Sequence, residues 1–117
     1  HYSKGYNIFN KNLKMVILVN QGSASASEIL AGALREHGVA KLVGERTFGK
    51  GSVQELVPVT DDTQMKVTVA RWLTPKGHSI SVQGLKPDIE VKMTADDLKN
   101  GKDPQFDRAI RYLITGK

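Results

Sequence analysis

The sequence predicts an α/β fold built on a parallel βαβ unit, and three stretches carry the prediction. Lys14 to Asn20 (KMVILVN) is a continuous β-branched and leucine run, the composition of a strand covered on both faces in a parallel sheet. From Ser25 to His37 apolar residues return at spacings of three and four, which puts Ala26, Ile29, Leu30, Ala33 and Leu34 on one helical face. Val39 to Val43 is a second short apolar run, placed just after a helix stop at Gly38. Strand, helix and strand in about thirty residues form a crossover that is right-handed in nearly all proteins.

The remaining elements follow in order. Residues 1–13 (HYSKGYNIFNKNL) are polar with scattered aromatics and read as an arm or loop entering the domain. Residues 14–117 form its body. Gln21 to Ala24 is a turn. Arg35 and His37 lie near the negative end of the helix dipole. Gly44 to Ser52 is a glycine-rich loop. Val53–Val59 and Met65–Trp72 are strands joined by a hairpin turn over Thr60–Gln64, with Pro58 marking an edge or a strand end. Thr74–Gly77 is a further turn, and Ser79–Val82 and Ile89–Met93 read as short strands. The C-terminal stretch from Asp103 to Thr115 is a helix with Asp103 as its cap and Pro104 in its first turn. Phe106, Ala109, Ile110, Leu113 and Ile114 share one side of it.

Composition narrows the function. The chain has 117 residues, 39% hydrophobic and 25% charged, an ordinary globular balance for one domain or part of one. It has no cysteine, which excludes disulfides, thiolate metal sites and a cysteine nucleophile. No apolar run is long enough to span a bilayer, and no signal peptide is visible. The start at His1 reads as a processed chain or an excised segment. The net charge of +5 is dispersed, without an Arg-rich stripe or an aromatic RNA-binding motif. A solvated basic surface accounts for it better than nucleic-acid binding.

Ser25 stands where the buried strand gives way to the helix. A hydroxyl there lies near unpaired backbone N–H groups and the positive end of the helix dipole. The N–H of Ala26 is the natural donor to an oxyanion formed at that hydroxyl. The same residues also spell a capping box, Ser25-Ala26-Ser27-Glu28, which needs no catalysis. On local pattern alone the helix cap is the stronger reading and the nucleophile the weaker, and Ser23 and Ser27 are close neighbours. The histidines, His1, His37 and His78, fit no triad signature and read as structural or exposed. Lys50 is the other candidate base, flanked by Gly49 and Gly51. A lysine accepts a proton only as the neutral amine, which burial favours. Gly44 to Lys50 also matches the first part of a phosphate-binding loop. Position 51 is Gly rather than Ser or Thr, and the following residues read as strand rather than helix, so nucleotide binding is set aside.

Three ordered motifs resemble the C-terminal processing peptidases, also called tail-specific proteases. They are Val19-Asn-Gln-Gly-Ser-Ala-Ser25-Ala-Ser-Glu-Ile29, then Val43-Gly-Glu-Arg-Thr-Phe-Gly-Lys50-Gly-Ser-Val-Gln54, then Leu73-Thr-Pro-Lys-Gly77 with Gly84-Leu-Lys-Pro-Asp88. The likeness runs over about residues 14–115. It implies Ser25 as nucleophile, Lys50 as general base and Gln54 as the group that orients the lysine amine. Glutamine can accept an N–H bond without adding charge. The Ala26 N–H becomes one oxyanion donor. The implied fold is related to the ClpP/crotonase superfamily, with additional C-terminal strands and a terminal helix. The implied activity is cleavage of polypeptides near their C-termini, without metal or organic cofactor, at a periplasmic or other extracytoplasmic site. The family also carries an upstream core segment, with an Asn-Pro-Gly-Gly-like turn that gives the second oxyanion donor, and a PDZ domain. This segment matches neither, so by itself it is expected to be inactive. A non-catalytic peptide-binding or assembly role for the same fold is the alternative, and homo-oligomerisation is left open.

Overall fold

The computed structural model describes residues 12–81 and 83–117. The βαβ unit is formed by β1 (Met15–Val19), α1 (Ala26–Glu36) and β2 (Ala40–Gly44). β1 and β2 are parallel and in register from Met15 opposite Ala40 to Val19 opposite Gly44. A two-residue strand, Ile89–Glu90, which becomes β5 in chain order, pairs with the other edge of β2. That edge is extended by Asp88, whose carboxylate accepts from Leu42 N–H at 2.9 Å while its own N–H donates to Leu42 O at 2.9 Å. β2 is thus the central strand, and its Leu42 and Val43 are fully buried. The core gathers Val19, Ala31, Leu42, Ile80 and Leu85, with Ile17 and Ile29 packed against it.

The expected hairpin is present as β3 (Ser52–Pro58) and β4 (Gln64–Arg71), antiparallel, with an irregularity between Val53 and Gln54. Its first strand ends at Pro58, which has no N–H to donate to a ladder. α2 (Ala95–Lys99) follows β5, and α3 (Pro104–Thr115) ends the chain. The Asp103 side chain accepts from Phe106 N–H at 2.9 Å, Pro104 occupies the first turn, and Gly116 closes the helix in the left-handed conformation. No helix among the described residues is long and apolar enough to cross a membrane.

Several expectations need correction. β1 is an edge of the described sheet rather than a doubly covered strand; Leu18 is 43% exposed. Met15 to Leu18 instead line an apolar groove of about 650 Å³ with Leu30 and Leu34. α1 buries Glu28, Ala31 and Gly32, while Leu30 stays 61% exposed. The period sets a stripe of the right width, but the packing partner sets which edge of it turns inward. Here Thr74 and Leu85 side-chain carbons lie 3.2 and 3.5 Å from where a Gly32 Cβ would stand. On α3 the buried residues are Gln105 and Ala109, because Gln105 Nε2 donates to Val91 O at 2.9 Å; Phe106, Ile110 and Ile114 are exposed. Ser79–Val82 is not a strand as far as it is described: Ser79 makes one isolated bridge with Leu73, and Val82 lies outside the described residues. So does most of the arm over 1–13. α2 was not foreseen, although its signal is legible: Thr94 and Asp97 cap each other's backbone N–H groups at 3.0 and 3.1 Å.

Two contacts generate tests. Gly44 has φ +129°, and a Cβ there would stand 2.1 Å from Val19 O, inside the β1–β2 junction. Gly38 also has a positive φ, +72°, but open space around it. Gly44→Ala is expected to lower unfolding free energy by about 3 kcal/mol or more, and Gly38→Ala by about 1–2 kcal/mol, in urea titrations. Glu36, at the end of α1, accepts from Lys76 N–H at 2.8 Å and pairs with His78 Nδ1 at 2.9 Å. Partial burial pushes its carboxyl up. The bonds from His78, Lys76 and Thr74 outweigh that and lower it from 4.5 to about 2. A depressed folded pKa stabilises above the unfolded value and loses that contribution as pH falls. Glu36→Gln should therefore destabilise at neutral pH, and the gap from the parent should close as pH falls from about 4.5 to about 2. Thermal unfolding across that range checks it; a gap independent of pH would contradict the assignment.

Candidate active site

Because β1 and β2 run parallel, their carboxyl ends lie at one edge of the sheet, where open α/β sheets bind ligands. Ser25 follows the end of β1, and Lys50 follows the end of β2. The β1 exit is a tight turn. Asn20 O accepts from Ser23 N–H at 2.9 Å, and the Asn20 side chain accepts from Gly22 N–H at 2.9 Å. The chain then enters α1 through Ser25 at φ 57°, ψ −119°. Ser25 is the one non-glycine residue with positive φ among the described residues. Such strain costs of order 1–3 kcal/mol and persists only where the surroundings hold it.

The holding group is Glu28, which is fully buried. Its Oε2 accepts from Ser25 N–H at 3.0 Å and from Lys50 N–H at 2.9 Å. Its Oε1 accepts from Thr47 Oγ1 at 2.5 Å and Gly49 N–H at 2.7 Å. Thr47 is itself buried, and its hydroxyl oxygen also accepts from Leu85 N–H at 2.7 Å. One side-chain oxygen therefore joins the backbone of Ser25 to that of Lys50. Both halves of the expected capping box are present: the Glu28 side chain accepts from Ser25 N–H at 3.0 Å, and the Ser25 side chain faces the Glu28 N–H without a cap hydrogen bond of its own.

Ser25 and Ala26 are exposed, and Ala26 is the first residue of α1, where the N–H has no intrahelical acceptor. Phe48 N–H donates to Ser23 O at 3.0 Å, a second tie between the two loops. Gly49 takes φ +91°, in the left-handed region that glycine adopts readily. The Lys50 side chain is exposed and has no hydrogen-bond partner among the described residues. Gln54 sits on β3 opposite Thr68, exposed, beside the irregularity. No hydrogen bond joins it to Lys50. His37 caps the C-terminus of α1 and His78 pairs with Glu36, so neither belongs to this edge as a base. No group of His, Cys, Asp or Glu among the described residues could hold a metal ion.

The sequence reading missed Glu28 and Thr47 as site residues. Glu28 carried a signal, since it falls among Ile29, Leu30 and Ala31 on a helix, but the capping pattern accounted for it. Thr47 carried none.

The Peptidase family S41 model matches residues 1–91. A carboxyl-terminal-processing protease of Synechocystis sp. is 45% identical over 105 residues, covering 87% of this chain and 25% of the relative. The chloroplastic carboxyl-terminal-processing peptidase 3 of Arabidopsis thaliana is 54% identical over 76 residues, covering 65% of this chain and 15% of the relative. The chain thus spans a quarter or less of these relatives' length. Among solved structures, the photosystem II D1 C-terminal processing protease superimposes with a TM-score of 0.61 at 49% identity, over 66% of this chain and 20% of that one. The tricorn protease gives 0.74 at 29% identity, over 86% and 10%. With its α/β architecture, its serine at a strand-to-helix turn and a family match over most of its length, the chain belongs to peptidase family S41.

Proposed function

We propose that residues 14–117 are the later part of a serine endopeptidase core in which Ser25 is the nucleophile, Lys50 its general base and Gln54 the orienting group. The observation that carries this is the shared oxygen of Glu28, which holds Ser25 and Lys50 by their backbones at the carboxyl ends of neighbouring parallel strands. The strained backbone of Ser25 is a second support. A serine turned out on a sharp strand-to-helix bend exposes its hydroxyl beside the first N–H groups of the helix. In the reaction the neutral amine of Lys50 takes the Ser25 proton as Oγ attacks a peptide carbonyl. The Ala26 N–H stabilises the oxyanion, the Lys50 ammonium returns its proton to the leaving amine as the C–N bond breaks, and water, giving its proton to Lys50, then hydrolyses the acyl-enzyme.

The names of the relatives support polypeptides cut near their C-termini as substrates. The parallel βαβ core and the likeness to the tricorn protease support a ClpP/crotonase-like arrangement. An upstream core segment with the second oxyanion donor and a PDZ domain that receives substrate complete the proposed enzyme, which works outside the cytoplasm.

Two measurements test the reading. In the full-length parent protein, a fluorophosphonate probe is expected to label Ser25 and to lose that labelling in Ser25→Ala and Lys50→Ala. Labelling that survives both changes would overturn the assignment. Glu28→Gln puts an amide N–H₂ among four donors, and should cost about 2–4 kcal/mol of stability. At a temperature where the variant stays folded, Ser25 labelling should slow on the order of 100-fold, because the two loops lose their common anchor. Unchanged labelling in the folded variant would show that Glu28 does not position the pair.

A further inference from the structure

Beside Lys50 lies a cleft of about 390 Å³ between the loop after β2 and the hairpin. We infer that it is a subsite for a carboxylate carried by the peptide substrate, with Arg71 as the charge partner; this rests on the peptidase reading of the neighbouring site.

The lining chemistry selects the ligand. Lys50 and Arg71 bring two cations, and Ser52, Thr68, Ser79 and Ser81 are the hydroxyl-bearing residues of the lining; among the described residues no acidic one lines the cleft. Such a wall recognises an anion that accepts several hydrogen bonds. Arg71 is exposed, and its side chain has no hydrogen bond or ion pair among the described residues. Its backbone is nevertheless fixed. Arg71 ends β4 in register with Ser52, and the next N–H, of Trp72, donates to Gly51 O at 2.7 Å. A guanidinium held at its root but unpaired at its tip suits two parallel bonds to a carboxylate.

Ser81 adds a second, independent observation. Its Oγ is buried and has no hydrogen-bond partner among the described residues. Buried hydroxyls are rarely left unpaired, and each such case calls for a reason. Gly51 brings the Lys50 loop onto this residue: a Cβ at Gly51 would stand 2.6 Å from Ser81 N and 2.9 Å from Ser81 Oγ. The orphaned hydroxyl thus lies against the residue that follows the proposed base. Two sources can supply the carboxylate. One is the α-carboxylate of a peptide ending shortly beyond the cleaved bond, the other an Asp or Glu side chain near that bond.

The test uses the full chain carrying Ser25→Ala, so that no peptide is turned over. Its affinity is measured by NMR titration for acetyl-Ala-Ala-Ala with a free carboxyl, for the same peptide as its C-terminal amide, and for acetyl-Ala-Glu-Ala amide. One acidic peptide is expected to bind about tenfold tighter than the neutral amide, the worth of a charge-assisted bond. Which of the two does so identifies the source. Adding Arg71→Gln should bring the ratio to about one, and adding Ser81→Ala should reduce it without abolishing it. Both variants should keep the parent's circular dichroism spectrum. Equal binding of all three peptides, binding of none, or a preference that survives Arg71→Gln overturns the subsite. Fluorophosphonate labelling of the full-length parent with Ser25 intact separates the two claims. Labelling with no acid preference refutes the subsite alone, while an Arg71-dependent preference without labelling refutes the peptidase reading alone.

Discussion

The arrangement of the site depends on one buried carboxylate. Burying Glu28 takes a charged group out of water, which is unfavourable by several kcal/mol unless its oxygens are satisfied. Here four donors satisfy them, two from the loop before Lys50 and one each from Ser25 and Lys50. A hydrogen bond to a charged group contributes about 1.5–3 kcal/mol, so the Ser25 bond alone is of the size of the strain in that residue's backbone. Removing any donor would leave a buried charge short of a partner. The penalty for rearrangement is what makes the geometry specific, and it acts on backbone positions rather than on the side chains that would react.

The sheet explains why one short side chain can reach both loops. Parallel neighbours deliver both carboxyl ends to the same edge, and α1 returns the chain there by starting at Ser25. Gly44 lets β2 end against Val19 O, which also accepts Glu45 N–H at 2.8 Å, so the second loop departs close to the first. Thr47 then ties that loop inward to Leu85, part of the core. Helix start, strand end and core are consecutive links of one hydrogen-bonded chain, so the site is built on the most buried part of the fold.

The same physics decides what could be read from the sequence. The βαβ unit, the hairpin and the terminal helix were legible because local signals agree: a β-branched run, a helical period, Asp103 followed by Pro104. Burial was not. Leu30 and Phe106 lie in stripes of the right period yet face outward, because the inward edge is chosen by Leu85, Thr74 and Val91, which are distant in sequence. Ser25, Lys50 and Gln54 were found as positions in ordered motifs. The link between the first two was not found, since Glu28 spells a helix cap locally and its other partners lie 19 to 22 residues away. The orphaned hydroxyl of Ser81 depends on packing against Gly51, which no local pattern encodes.

Anchoring the backbone of Lys50 does not by itself make its side chain a base. The ammonium form cannot accept a proton, and a lone carboxylate beside an amine favours that form. A substrate carboxylate entering the same cleft would therefore oppose the chemistry if Lys50 were its only cation. As the proposed charge partner, Arg71 would resolve the conflict, because a guanidinium stays charged and can hold both carboxylate oxygens. With the anion paired to Arg71, the cleft presents the amine with an arrangement of little net charge. In the proposed site the two cations would divide the work: Arg71 would receive the charge of the substrate, leaving Lys50 to move the proton of Ser25.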